Sequence, residues 1–575
     1  MKLRVFPFIL SLLSIGLLIG QEKQDKQKNK RQPFPVVEHL LPPAPSSLIP
    51  DFEFSTTLEE QEKELSNDPY MKRIEAARKA QADDPHRPFY HFVNPEGRLN
   101  DPNGLCYWQG RWHLFYQAYP PEDDRQHWGH AVSDDLIHWR DLPIAIYPNP
   151  EDKCFSGSTL VEEDRVIAAY HGIGRGTMIA VSSDPLLLNW EKVTGDAVIK
   201  LKEEGAPDYP YEIFDPSIWK QGDYYYLLTA GQHKNGPDGR VMREEFLHRS
   251  KDLENCEHLH PFLENDHFGL VGDDGACPYF WPIGTKEQNK HLMVHFSHMS
   301  GGKYLLGDYD TKRQKFVVTD GGDFNHGPVA PGGVHAPSAF PDPKMSGAVI
   351  GLFNMNPGII TPYRHHWNQI MSLPRRWTLG EEGKLKVEPA GDIESLRSEH
   401  ATVETPQRLP ANEEIVFEKI QGNAMELIAK IHPLESKLIE LKVLRSSNDE
   451  EYTRVLFYPQ SGYKLKHGVR RDRQQRVYTH GTLSIDTSQS SILPLALARP
   501  PETAPVLLET NKPAPVTLRV FVDKSIIEVF VNDRQCASVR VYPGREESVG
   551  VSLKAVGNHA RLMSLDAWQM KNIWE

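Results

Sequence analysis

From His86 to about residue 390 the chain is written in short runs rich in Tyr, Phe, Trp and Val, separated by glycine-containing turns. Three stretches repeat this grammar: NGLCYWQGRWHLFYQ (103–117), PSIWKQGDYYYLLTAG (216–231) and PIGTKEQNKHLMVHFSH (282–298) each read as strand, polar turn, strand. The first two are followed by a second hairpin ending in a variant of S-x-D-L-x-x-W, SDDLIHW (133–139) and SKDLENC (250–256), and SSDPLLLNW (182–190) is a further copy. Hairpin units recurring every ~50 to 70 residues predict the blades of a propeller, which leaves only short protected sheet edges and puts inner strand ends around a central axis. An open antiparallel meander is the alternative with the same local pattern.

From roughly residue 405 to 575 the texture is strict alternation of apolar and polar residues, clearest in VTLRVFVDKSIIEVFVNDRQCASVRVYP (516–543). The VND step is a hairpin turn between two such strands. A β-sandwich is the expected closure of this second domain. Pro 45 and Gly 41 in 575 residues fit the many turns of an all-β chain.

The N-terminus differs. Met1 to Gly20 carries Lys2 and Arg4 ahead of FPFILSLLSIGLLIG, an apolar run short of the ~20 residues that span a bilayer, and reads as a secretory signal, with an uncleaved anchor as the alternative. Residues 21–85 read as a charged, then Pro-rich tether leading into two short helices between Thr57 and Asp84, broken at Asn67 to Pro69. The expected location is outside the cytoplasm: periplasmic, cell-surface or extracellular. Five scattered cysteines form neither a disulfide framework nor a zinc-ligand spacing. A net charge of −13, without a basic stripe beyond residue 31, argues against nucleic acid as a partner.

Within the propeller segment, two aspartates precede proline at strand starts, in NDPNG (100–104) and FDPSIW (214–219). The residue before proline is biased to extended backbone, from which a carboxylate could point toward the axis. Two carboxylates meeting in one pocket are the equipment of glycosidic-bond cleavage. Each Asp-Pro alone is also an ordinary turn device.

Taken together, HRPFYHFVNPEGRLNDPNGLCYWQGRWHLFYQ (86–117), HWGHAVSDDLIHW (127–139), FSGS (155–158), FDPSIW, ACP (276–278) and LPRRWTL (373–379) resemble, in order, the motifs of glycoside hydrolase family 32, the invertases, levanases and inulinases. FVDKSIIEVFVND (521–533) is similar to the signature of that family's C-terminal sandwich. The resemblance implies a five-bladed β-propeller (86–390) followed by a β-sandwich (405–575), cleaving terminal β-fructosyl linkages of a fructan, sucrose or related sugar. It implies Asp101 as nucleophile and Asp215 as transition-state stabiliser. Asn100, Gln117, Trp128, Phe155 and Ser156 match pocket-lining positions, and no metal or organic cofactor is implied.

The family pattern also places a glutamate, the general acid, directly before Cys277-Pro278, where this chain has Ala276. Phe214 replaces an arginine, Arg98-Leu99 replace Trp-Met, and Gly333 stands where an aspartate is usual. Residues two apart on a strand share a face, about 6.6 Å between Cα atoms. Asp274 is therefore the expected relocated acid, provided the strand extends back through Gly275, and its offset could convert retention to inversion. Asp273 would face away as a solvated loop acid. His335, in GGVHAPSAF, is expected as a pocket histidine and as a second acid candidate. HMSGG (298–302) and RHH (364–366) lack a carboxylate at ligand spacing and are not expected to hold metal. Two other functions share the same residues: a carbohydrate-binding pseudoenzyme without its general acid, and a propeller that serves as an interaction scaffold.

Overall fold

The computed structural model describes residues 52–121, 123, 125–201, 212–233, 236–360, 367–459, 480–508 and 514–575. The expected signal, the charged tether and the RHH triplet lie outside the described residues. Two helices, Leu58–Leu65 and Pro69–Ala80, flank the expected break and are capped by side chains, Thr57 accepting from the Glu60 N–H and Asp68 from the Met71 N–H. They are pinned to the domain that follows and to the C-terminal end of the chain: Gln61 donates to Asp184 at 2.7 Å, Arg78 pairs with Asp141, and the Arg78 guanidinium lies 3.3 Å over the Trp574 ring.

Residues 98–389 form five sheets, one of four strands and four of five, antiparallel throughout except where the edge strand Leu263–Glu264 pairs in parallel with Lys315–Asp323. Their innermost strands are Arg98–Trp108, Cys154–Val161, Glu212–Gln221, Ala276–Ile283 and Val334–Pro341. Each packs against the next in this order, and the fifth packs against the first. That closure makes a five-bladed propeller and excludes the open meander.

The repeated S-x-D element is the turn from third to fourth strand in blades one, two and three. Ser133, Ser182 and Ser250 each donate to the aspartate two residues on, at 3.0 Å, and Asp135, Asp184 and Asp252 in turn accept backbone N–H groups further along the turn. The repeat is thus a side-chain-capped turn, with Leu136, Leu187 and Leu253 each in the left-handed region at φ 73°, 52° and 67°.

The second domain packs a seven-stranded sheet on a six-stranded one around a core that includes Leu427, Val455, Leu518, Val529 and Leu553, all 0 or 1 % exposed. Its first strand, Arg397–Thr402, lies ahead of residue 405 and pairs with Ala560–Met570.

Asp523 and Glu528, both within FVDKSIIEVFVND, hold the sandwich to the propeller. The Asp523 carboxylate accepts the backbone N–H groups of Phe89, Tyr90 and His91 at 2.7–2.9 Å and also meets His91 Nδ1 at 2.8 Å. Glu528 accepts from Arg375 at 2.8 Å, Ser538 at 2.6 Å and the Leu373 N–H at 2.6 Å, and lies 3.2 Å from His91 Nε2. The segments FYH, LPRR and FVDKSIIE therefore meet in one buried polar cluster. Burial works to raise Glu528, but the Arg375 charge and His91 bring it down to about 2.

Candidate functional site

Every inner strand carries a register irregularity near its start: between Leu99 and Pro102, Cys154 and Gly157, Phe214 and Pro216, Ala276 and Tyr279, and Val334 and Pro337. A bulge bends the strand and re-aims the extra residue's side chain. The residues inside these five bulges include Asn100, Asp101, Phe155, Ser156, Asp215, Cys277 and His335, so the fold delivers them together to one end of the axis. Asp215 is not extended as the Asp-Pro argument predicts. It sits at φ 22°, because the bulge rather than proline sets its backbone.

Asp101 and Asp215 are 8 % and 7 % exposed, buried yet open to solvent. Asp101 accepts from the Ser156 hydroxyl at 2.6 Å and the Gln117 amide at 3.3 Å, and His335 Nδ1 lies 3.1 Å from its other oxygen. Burial pushes Asp101 up, but the hydrogen bond and charge of His335, with Ser156, hold it below the usual carboxylate range. Asp215 moves the other way, to about 6, through burial and the charge of Asp101. Cys277 joins the two: its Sγ lies 3.6 Å from Asp101 Oδ2 and 3.5 Å from Asp215 Oδ2, and its backbone N–H donates to Asp215 at 3.1 Å. Burial and the two carboxylates raise this thiol well above its ordinary value, so it remains a neutral donor.

Amide side chains surround the pair. Asn100 donates to Gln117 at 2.9 Å and accepts from Gln369 at 3.0 Å, Gln126 donates to Gln117 at 2.8 Å, and Asn354 lies 3.2 Å from His335 Nδ1 and also donates to Gln369. Gln126, Asn354 and Gln369 were not legible as site residues in the sequence. Only the packing of blade five against blade one, with the pairing inside each, brings them to Asn100 and His335. Phe214 is half-buried against the cluster that contains Ala276 and Cys277. Trp128 is fully buried, and its indole N–H donates to the Phe155 carbonyl at 2.8 Å, so it supports the second bulge from beneath.

The same-face expectation for Asp274 fails. The strand begins at Ala276, and Gly275 at φ 64° turns the chain before it. Asp274 instead accepts the His298 backbone N–H at 3.1 Å and lies 2.6 Å from His298 Nδ1. Asp273 is not a solvated acid but 0 % exposed, accepting from Ser297 at 2.7 Å, from the Leu270 N–H at 2.7 Å and from Ser300. Both acids are committed to the turn after Lys290–Ser297. Gly333 cannot regain a side chain without rearrangement, since a Cβ there would come within 2.2 Å of the Pro328 carbonyl oxygen.

The described residues contain no group of three or more His, Cys, Asp or Glu placed to hold a metal ion. A recess of about 500 Å³ beside Leu160, Val161 and Lys220 lies at the far ends of the inner strands, away from the carboxylates.

Two carboxylates whose environments push their proton affinities in opposite directions, open to solvent within a belt of hydrogen-bonding amides, fit a sugar-processing hydrolase built on a propeller. The chain belongs to glycosyl hydrolases family 32: residues 91–389 match the family's N-terminal domain and residues 392–569 its C-terminal domain. It is 28 % identical over 541 residues to a levanase of Bacillus subtilis, covering 87 % of this chain and 72 % of that one. It is also 28 % identical over 518 residues to a sucrose-6-phosphate hydrolase of Escherichia coli, covering 84 % and 94 %. The crystal structure of fructan 1-exohydrolase IIa from Cichorium intybus superposes with a TM-score of 0.71 at 22 % identity, over 85 % of this chain and 98 % of that one, and shares the fold.

Proposed function

We propose that the protein is an exported β-fructosidase that removes terminal fructosyl units from sucrose, a fructan or a related oligosaccharide. The observation that carries this reading is the Asp101–Cys277–Asp215 contact at the axis, with Asp101 held ionised and Asp215 poised near neutrality. In this reading the Asp101 carboxylate attacks the anomeric carbon, while Asp215 accepts hydrogen bonds from ring hydroxyls that strengthen as positive charge develops. Asn100, Gln117 and Gln369 supply further polar groups for one sugar ring. Levanase, sucrose-6-phosphate hydrolase and fructan 1-exohydrolase among the similar proteins support fructose-containing substrates. The apolar segment after Lys2 and Arg4 supports export.

The test is to incubate purified protein with sucrose, 1-kestose, inulin and levan, and to follow the first-formed sugar by proton NMR. Fructose should appear one unit at a time with its β configuration retained. Internal oligosaccharides or an inverted anomer would overturn the terminal, two-step reading. Binding of these sugars with no release would instead support the carbohydrate-binding alternative, which the missing glutamate at position 276 keeps relevant.

A further inference from the structure

Ala276 leaves no carboxylic acid before Cys277-Pro278 to protonate the leaving group. Ala276 is 2 % exposed and pairs across the hairpin with Phe296. Just outside this hairpin the Asp274 carboxylate accepts the His298 backbone N–H and meets the His298 ring, tying the turn before Ala276 to the turn after Ser297. His298 thus stands two residues beyond the partner of Ala276, as the first residue of the turn that follows Lys290–Ser297 in the same blade.

Three features fit His298 for proton transfer. Its ring lies 5.9 Å from that of His335, which touches Asp101, and 5.1 Å from Phe296, so it borders the carboxylate pair. Its side chain is 67 % exposed, so water and a substrate can reach the ring. Asp274 occupies Nδ1, which fixes the tautomer and leaves Nε2 as the free donor, as a carboxylate does for the histidine of a catalytic triad.

We infer that His298 is the general acid and base of this site and that Asp274 is its positioning residue. In the first step an Asp101 oxygen bonds to the anomeric carbon, the bond from that carbon to the leaving oxygen breaks, and the departing electron pair takes the Nε2 proton of His298. In the second step neutral His298 accepts a proton from water, the resulting hydroxide oxygen bonds to the anomeric carbon, and Asp101 leaves as carboxylate. His298 ends protonated, as it began.

The charged groups facing His298 are Asp274 on its own blade, Asp101 on blade one and Asp215 on blade three, with His335 on blade five beside it. The hydrogen bond to Asp274, together with the charges of Asp274, Asp101 and Asp215, holds the imidazolium above the ordinary histidine range. A proton donor works below its pKa. Activity therefore falls on the alkaline side as pH rises through that raised value. On the acid side it falls near 6, where Asp215 takes up its proton.

The inference rests on the fructosidase reading, and a pair of substrates separates the two. His298→Ala should lose about 10²- to 10⁴-fold on sucrose or a fructan, whose leaving groups need a proton. On an aryl β-fructoside, whose nitrophenol departs unprotonated, the same variant should give a burst of nitrophenol followed by slow turnover that added azide accelerates. Asp274→Asn should lose less and move the alkaline limb to lower pH, an effect that loss of folding would not produce. Unchanged sucrose or fructan turnover in His298→Ala, beside an inactive Asp101→Ala, would overturn the role of His298 alone. Failure of the wild-type protein to hydrolyse either class of substrate would overturn the underlying reading and this inference with it.

Discussion

Asp101→Ala is expected to reduce sugar release by ~10⁴-fold or more, the scale on which loss of a catalytic nucleophile is felt. The carboxylate is held ionised at the base of the axial site by His335 and Ser156 against the cost of burial. No other described carboxylate can replace it: Asp215 is engaged by Cys277, and Asp274 is bound to His298. Mass spectrometry of quenched protein gives a direct check. With the aryl fructoside, His298→Ala should accumulate one covalent hexosyl unit, and the double variant with Asp101→Ala should show none. Release that survives Asp101→Ala would remove the nucleophile assignment. A second consequence concerns Asp215, which the Asp101 charge helps to raise to about 6. In Asp101→Ala its titration should move to lower pH.

Glu528→Ala is expected to be the most destabilising single change, by about 3 to 5 kcal/mol, because it strands buried charge rather than simply removing a contact. Arg375 is 1 % exposed and His91 1 %, and both face Glu528 at the junction of the domains. The Leu373 N–H and the Ser538 hydroxyl lose their acceptor as well. Thermal unfolding should shift down by about 3 °C if propeller and sandwich melt together, and by about 10 °C in the sandwich if the junction opens first and the transitions separate. A midpoint unchanged within error would refute this role.

The pH dependence has a definite sign. Glu528 is depressed when folded, from 4.5 to about 2, so its contribution is complete above 4.5 and is lost as pH falls toward 2. His91 is raised when folded, since hydrogen bonds and charges of Asp523 and Glu528 outweigh its burial. Its contribution is complete below 6.5 and is lost as pH rises through the higher folded value. Glu528→Gln should flatten the acid side of the stability profile.

The amino-acid order determined much of this protein. Period-two alternation and capped turns specify strands wherever they occur, because both act within a few residues of the chain. Asp101, Asp215, Asn100, Gln117 and Ser156 were all identifiable from short motifs, and the structure brings them together. The same local reasoning misplaced Asp274 and Asp273, weighed His298 only as a metal ligand, and passed over Gln126, Asn354 and Gln369. A strand's face can be read from sequence only while the strand continues, and Gly275 at φ 64° ends it one residue too soon. Which residue then stands beside the vacancy at Ala276 depends on the register of Ala276–Ile283 against Lys290–Ser297, set by the hairpin between them. The five axial bulges are likewise a property of paired strands, since an extra residue exists only relative to a partner. Sequence determined which side chains this protein carries to its axis in recognisable motifs. Tertiary pairing alone decided their aim, and which histidine meets the aspartate beside the missing acid.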